Sequence, residues 1–295
     1  MINNLKYLVV IHKTTIILLA IIIFLVGGGF YLYKNYQTAK ESANVTEVDL
    51  NFDPEGPFAL LLPRRDGNAL QLNLKRTASY DAISYELAYT SLPDATSSKT
   101  DEGGPITGSI DRGVVGNIET KEKKGEYQQE ILFGTCSKNV CKYDKGVENG
   151  TLTLHIRKGD KSYRMVTTWH LQQPDVALGN LVSGDGHFTY GIKATRADLL
   201  LIGYTIINDL TGLPKLPEGK QILGKVYGVN VPLAKNLLPG SVTVELSENP
   251  PAETKIYRFD DGQNKWLELV TQISGSKLIT NADGAGIFAV LVNKK

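Results

Sequence analysis

Apolar and polar residues alternate along most of the chain beyond residue 48. Residues 70–75 read Leu-Gln-Leu-Asn-Leu-Lys, and residues 83–89 read Ile-Ser-Tyr-Glu-Leu-Ala-Tyr. A period of two places every second side chain on the same face of a strand, so both segments predict half-buried β-strands. Residues 152–156 and 162–171 continue the pattern on either side of a polar turn, which predicts a hairpin.

Further strands are predicted on both sides of residues 172–175, which read Gln-Gln-Pro-Asp and look like a domain edge. They lie at 128–133, 189–193, 198–207, 221–231, 241–246, 255–259, 265–270, 277–280 and 286–292. Turn signals such as Asp261-Gly262 separate them, at a spacing typical of a β-sandwich. The pattern predicts an all-β fold with a first β-sandwich module at 48–174 and a second at 175–295.

Residues 14–33 form an apolar run that carries no charge. Twenty such residues in a helix span roughly 30 Å, the thickness of a bilayer hydrocarbon core, so the run predicts a transmembrane helix in contact with membrane lipid. The alternative is a cleaved signal peptide, whose apolar region is usually about 7–15 residues long. A flank at 1–13 precedes the predicted helix, and a polar stalk is predicted at 34–47.

The lysines around this helix do not fix its orientation, because Lys6 and Lys13 precede it while Lys34 and Lys40 follow it. The composition, with 42% apolar and 21% charged residues, is typical of a folded globular protein. The net charge of +1, from 32 basic and 31 acidic residues, argues against a nucleic-acid partner.

The chain has two cysteines, Cys136 and Cys141, close enough in sequence to close a small disulfide loop at a hairpin tip. Free thiols are one alternative, and a metal site is another, although structural zinc needs four ligands. A disulfide predicts an oxidising compartment, hence a cytoplasmic N-terminus and a C-terminal ectodomain that is extracellular or periplasmic.

Sequence motifs for catalysis are missing: the chain contains no Gly-x-Ser-x-Gly, no His-Glu-x-x-His and no phosphate-binding glycine-rich loop. We therefore expect a protein that is not an enzyme and needs no cofactor. Metal binding stays open at three places. These are the pair His155 and His170, the pair Asp185 and His187, and the carboxylates Asp260, Asp261 and Asp283, which suit Ca²⁺.

Two tryptophans are candidates for different roles. Trp266 lies in the predicted strand at 265–270 and is expected in the core. Trp169 is a possible binding aromatic if its ring points outward, because exposed aromatic side chains often anchor protein or glycan ligands.

Three C-terminal segments carry a resemblance to known modules: Ile256–Asp260, Trp266–Leu269 and Gly286–Leu291. Together they look like the closing strands of immunoglobulin-like or ZU5-like β-sandwich modules of prokaryotic membrane-anchored surface proteins. Residues 85–89 and 134–136 are similar, more loosely, to immunoglobulin-like or fibronectin-type modules. The resemblance implies two immunoglobulin-like β-sandwich modules, and it supports the fold better than the function.

The leading hypothesis is a non-enzymatic, single-pass membrane-anchored surface protein, whose β-sandwich ectodomain serves adhesion, ligand binding or envelope architecture. An alternative is an accessory subunit of a secretion or pilus-type envelope complex, with Gly27-Gly28-Gly29 allowing close helix packing. A membrane-tethered hydrolase is a second alternative, and it predicts a deep cleft with paired carboxylates.

Overall fold

The computed structural model describes residues 47–50, 52–93, 108–122, 125–138, 140–233 and 235–294. Within these ranges the chain is mostly β-strand with two short helices, so the predicted all-β class is confirmed. The predicted flank, the transmembrane helix at 14–33 and the stalk lie outside the described residues, apart from Glu47 at the end of the stalk. No helix within the described ranges has the length and apolar character needed to cross a membrane.

The described residues form twenty strands and two helices. In chain order these are β1 (Glu47–Leu50), β2 (Phe58–Pro63), β3 (Ala69–Lys75), β4 (Ala82–Ser91), β5 (Ile110–Ile118), β6 (Glu126–Leu132), β7 (Gly134–Ser137), β8 (Val140–Tyr143), β9 (Asn149–Lys158), β10 (Lys161–Gln172), α1 (Pro174–Ala177), β11 (Asn180–Val182), β12 (Phe188–Ile192), α2 (Arg196–Ile202), β13 (Thr205–Asp209), β14 (Lys220–Asn230), β15 (Gly240–Glu245), β16 (Lys255–Asp260), β17 (Lys265–Glu268), β18 (Gln272–Ser274), β19 (Lys277–Ala282) and β20 (Gly286–Asn293).

One large sheet forms the centre of the fold, and three smaller sheets accompany it. In this central sheet the strand order is β17-β16-β20-β14-β13-β10-β9-β4-β5, and β1 pairs with β10. A five-stranded sheet has the order β11-β12-β15-β19-β18, and a three-stranded sheet has the order β2-β3-β6. The strands β7 and β8 form a two-stranded ribbon.

The three-stranded sheet and the five-stranded sheet cover opposite faces of the central sheet. Ile206 and Ile207 are neighbours on β13, so their side chains point to opposite faces. Ile206 belongs to a buried cluster that includes Leu72 of the three-stranded sheet. Ile207 belongs to another cluster, with Tyr190 and Val242 of the five-stranded sheet. The core therefore has two layers, one on each side of the central sheet.

The central sheet also crosses the predicted boundary between residues 174 and 175. The strand β10 ends at Gln172 and pairs directly with β13, with Trp169 opposite Asn208. Residues Val48–Lys295 make one compact unit. The division into two modules, and their immunoglobulin-like character, stay predictions.

The local pattern predicted most of the strands, missed others such as β2 and β5, and assigned one segment wrongly. The predicted hairpin is confirmed as β9 and β10, with Lys158 opposite Lys161 at the turn. The strand predicted at 198–207 is wrong in its first part, which is α2. There the Thr195 hydroxyl accepts a hydrogen bond from the Asp198 backbone N–H, and the Asp198 carboxylate accepts one from the Thr195 backbone N–H. This reciprocal cap starts a helix.

Candidate functional site

A cavity of about 440 Å³ lies at the end of β10, where the chain leaves the central sheet. We call it the polar cavity. It is bounded by the turn between β2 and β3, the segment between β8 and β9, the helix α1 and the strand β11. Residues with polar side chains make up much of its wall, among them Asn68, Glu148, His170, Gln172, Asn180 and Tyr204.

The chain reversal after β10 creates the cavity. Pro174 ends the strand because it has no backbone N–H, and it occupies the start of α1, a position that proline favours. Leu178 and Gly179 then adopt positive φ angles of 47° and 81° and turn the chain back into β11. A Cβ at Gly179 would lie 2.6 Å from the Ile192 carbonyl oxygen, so this turn requires glycine.

Gln172 is the best-buried polar side chain of the cavity wall, with 6% of its surface exposed. Its Oε1 accepts a hydrogen bond of 2.7 Å from the Val182 backbone N–H, which ties β10 to β11. Its Nε2 has no hydrogen-bond partner among the described residues. A buried amide donor without an acceptor is destabilising by about 1–3 kcal/mol. This nitrogen has almost no accessible surface, so the cost falls on the fold and is not offset by a group in the cavity.

His170 lies two residues before Gln172, and its ring is bonded within the protein. Its Nδ1 lies 2.7 Å from Asn149 Oδ1. Because that oxygen can only accept, Nδ1 carries the proton. Burial lowers the pKa of His170 and outweighs the charge of Glu148 and the hydrogen bond between the ring and the Glu148 backbone, which both raise it.

Asp144 also lines the cavity, but its carboxylate is already engaged. It accepts a hydrogen bond of 3.0 Å from the Tyr89 hydroxyl and forms an ion pair of 3.4 Å with Arg112. Burial and the bond to Asp144 raise the pKa of Tyr89 to about 12, which keeps its hydroxyl a neutral donor. The Asp144 carboxylate is therefore bonded to other side chains of the protein and is not free to bind a ligand.

A second, more open depression of about 630 Å³ lies where β4, β5, β9 and β10 meet the loop before β12. Small side chains, including Ala88, Thr151 and Thr168, line it. Asp185 and Lys225 lie at its border. Its accessible lining is mainly apolar, and it is more open to solvent than the polar cavity.

Asp185 is the centre of a hydrogen-bonded cluster at this border. It accepts from Lys225 at 2.9 Å, from the Tyr227 hydroxyl at 3.1 Å and from the Ser183 hydroxyl at 2.6 Å. Burial alone would raise the pKa of Asp185, but the bonds from Ser183 and Lys225 outweigh it and hold the pKa at about 2. The cluster attaches the loop between β11 and β12 to the central sheet.

In comparisons with known proteins, no family model and no curated protein matches the chain.

The two cysteines lie opposite each other on the ribbon β7–β8, and a disulfide joins them. Their Cα atoms are 4.0 Å apart, and both residues are exposed. The bond therefore closes the ribbon at the surface.

Trp169 does not point outward, which was the condition for a binding aromatic. Its ring is 1% exposed and points into the core, where it stacks on Phe133 at 5.8 Å between ring centroids. The alternation along β10 explains this, since Trp169 shares a buried face with Met165 and Leu171. Trp266, expected in the core, is half-buried and packs edge-on against Phe259.

The candidate metal residues do not converge on one site within the part of the chain that the structure describes. No group of three or more His, Cys, Asp or Glu side chains there is placed to hold a metal ion. In the β-ladder His155 lies opposite Arg164, and His170 lies opposite Asn149. His187 reaches Asp185 only by its backbone N–H, at 3.1 Å.

The sequence pattern does not predict the polar cavity, although it singles out three of its residues. His170 is a metal candidate, and Gln172 and Gln173 belong to the predicted domain edge. A polar side chain at the last position of a strand that precedes a proline is one available signal for such a site. The other walls come from residues far away in sequence, such as Asn68 and Glu148, and no local pattern brings them together.

Proposed function

We propose that the chain is a non-enzymatic, single-pass membrane-anchored surface protein whose ectodomain binds a ligand in the polar cavity. The ectodomain would comprise two immunoglobulin-like β-sandwich modules, with the N-terminus in the cytoplasm. The observation that carries the proposal is the polar cavity itself, whose volume of about 440 Å³ falls within the roughly 300–1,000 Å³ of small-molecule sites. The uncharged run at 14–33 supports the anchor.

Binding suits the cavity better than hydrolysis does. Glycoside hydrolysis by two carboxyl groups needs one of them as a protonated acid. Of the carboxylates that line the cavity, Asp144 is paired with Arg112 and bonded to Tyr89, while Glu148 is exposed. Because Asp144 is committed to these partners, the described residues that line the cavity do not include two free carboxyl groups, which favours a binding site over a two-carboxylate catalyst.

The disulfide supports an exterior ectodomain. An exposed disulfide persists in an oxidising compartment and is reduced in the cytosol. Cys136 and Cys141 are exposed on their ribbon, so reductants would reach them easily. Their bond is therefore expected in an extracellular or periplasmic protein.

Protease treatment of intact cells tests the proposed topology. The full-length chain would carry different epitope tags at its two ends, with a cytoplasmic protein as the control. We expect added protease to remove the C-terminal tag while the N-terminal tag survives until the cells are lysed. Survival of the C-terminal tag on intact cells, with the outer envelope opened where there is one, would contradict the proposal.

A further inference from the structure

We propose that the outer edge of β5 is a dimer interface, at which the β5 strands of two copies of this chain pair antiparallel about a two-fold axis at Val114. This edge contributes no residue to the polar cavity, so the inference goes beyond the proposed function. It requires neither a ligand nor the membrane anchor. Its failure and the failure of the proposed function are therefore seen in different measurements.

The strand β5 is the last strand at one end of the central sheet, and it is paired on one side. Its ladder with β4 runs through nine consecutive pairs, from Ile83 opposite Ile118 to Ser91 opposite Ile110, without a bulge. Among the described residues, no strand and no backbone hydrogen bond lies on its other side. About half of the backbone N–H and C=O groups of such a strand point away from the sheet and can bond to another strand.

Other edge strands have features that discourage pairing, and β5 lacks them. At the opposite end of the central sheet, β17 has four residues, of which two are charged. The edge strand β6 of the three-stranded sheet carries Glu126 and Glu130, each in an ion pair. In contrast, β5 has nine residues, and its stretch 113–118 contains neither a charge nor a proline. A long and regular edge of this kind is a template for the addition of a strand.

The side chains of β5 leave room for a partner strand. Val114 packs against the buried cluster below the sheet, while Val115 on the other face is 75% exposed. A Cβ at Gly113 would meet open space. Directly opposite side chains of an antiparallel pair lie roughly 4.5–5.5 Å apart, so a strand added here would cover part of the Val115 side chain.

The sequence of β5 is complementary to itself in one register. With the two-fold axis at Val114, Gly113 of each copy lies opposite Val115 of the other, so each valine faces a residue without a side chain. Asp111 then lies opposite Asn117, whose amide can donate to the carboxylate. A second copy supplies both of these pairs twice.

The neighbouring registers are less suitable. With the axis at Gly113, two glycines face each other and Val115 faces Asp111. With the axis at Val115, Asp111 faces Glu119, and like charges placed directly opposite are destabilising. The match in a single register is what favours a second copy of this chain over an unrelated strand.

Sedimentation equilibrium of the full-length chain in a density-matched detergent tests the inference. One added strand pair is a small interface, so we expect a dimer with a dissociation constant of about 1–100 µM. The protein mass should rise from one copy to two across this range of concentration.

Two matched double variants test the register. The like-charge variant, Gly113→Lys with Val115→Lys, places an ammonium opposite an ammonium twice, so the dissociation constant should rise at least about tenfold. The opposite-charge variant, Gly113→Lys with Val115→Glu, changes the same two positions but places an ammonium opposite a carboxylate. Its dissociation constant should stay within about threefold of wild type. Both positions are exposed, so the circular dichroism of the two variants should match that of the wild type.

Hydrogen exchange provides a second readout that locates the interface. The amides of residues 110–118 should exchange more slowly above the dissociation constant than below it, because the outward N–H groups of β5 are then bonded. The amides of β17, at the other end of the same sheet, should exchange at the same rate in both conditions.

Three results would overturn the inference: a monomer at every concentration up to about 1 mM, a dimer whose affinity is unchanged in the like-charge variant, or an opposite-charge variant as weak as the like-charge variant. A dimer held together by the predicted membrane helix would give the second of these results. None of them would affect the tag experiment on intact cells, and a protected C-terminal tag would leave the β5 interface standing.

Discussion

Replacing Trp169 with alanine is expected to lower the free energy of unfolding by about 3–5 kcal/mol. The indole is 1% exposed and stacks on Phe133, which in turn packs edge-on against Tyr89 at 4.9 Å. Removing it leaves a large cavity in the layer between the central sheet and the three-stranded sheet. Urea unfolding monitored by circular dichroism, with the slope checked for constancy, measures the change.

Thr168→Ala is the matched control, since Thr168 is the next residue back on β10 and its side chain is exposed. It should change stability by less than about 0.5 kcal/mol. Trp169→Phe should cost less than alanine, because it refills part of the space and removes an indole N–H that has no partner among the described residues. If Trp169→Ala changed the free energy of unfolding no more than Thr168→Ala does, the indole would not be in the core. Trp169 would then again be a candidate binding aromatic.

Replacing Asn208 with alanine is expected to lower the free energy of unfolding by about 2–4 kcal/mol, although it removes only a small polar group. Asn208 is 1% exposed, and its Nδ2 donates to the Ala59 carbonyl oxygen at 3.0 Å, across from β13 to β2. Its Oδ1 accepts from Asn230 Nδ2 at 2.9 Å. The alanine variant leaves both of these partners buried without their bond, and equilibrium urea unfolding measures the loss.

Asn281→Ala serves as the control for Asn208, because Asn281 is exposed on β19 of the five-stranded sheet. Its effect should stay within about 0.5 kcal/mol. A cost for Asn208→Ala below about 1 kcal/mol would mean that water replaces the lost bonds. The three-stranded sheet would then not be attached to the central sheet through this amide.

The strands were largely predictable because half-buried strands leave a period of two in the sequence. One segment with a strand-like pattern forms a helix instead. Residues 199–202 read Leu-Leu-Leu-Ile, which suits a buried strand, and Thr195 with Asp198 decided in favour of a helix. Leu199 and Ile202 are buried while Leu200 and Leu201 are exposed, as one face of a helix requires.

Strand order was beyond the local pattern. The neighbours of β20 in the central sheet are β14 and β16, and the pairing of β10 with β13 joins the two halves of the chain. Such pairings depend on contacts between residues distant in sequence. The polar cavity was missed for the same reason, because its walls meet only after β10 and β11 are placed beside the segment that holds Glu148.

The most direct test of the surface location uses the two cysteines in intact cells that express the full-length chain. We predict that a membrane-impermeant maleimide labels Cys136 and Cys141 only after treatment with a membrane-impermeant reductant, and without cell lysis. The double variant Cys136→Ser, Cys141→Ser is the control for specificity and should not be labelled. Labelling without reductant, or labelling that requires lysis, would contradict an oxidised ectodomain on the outside.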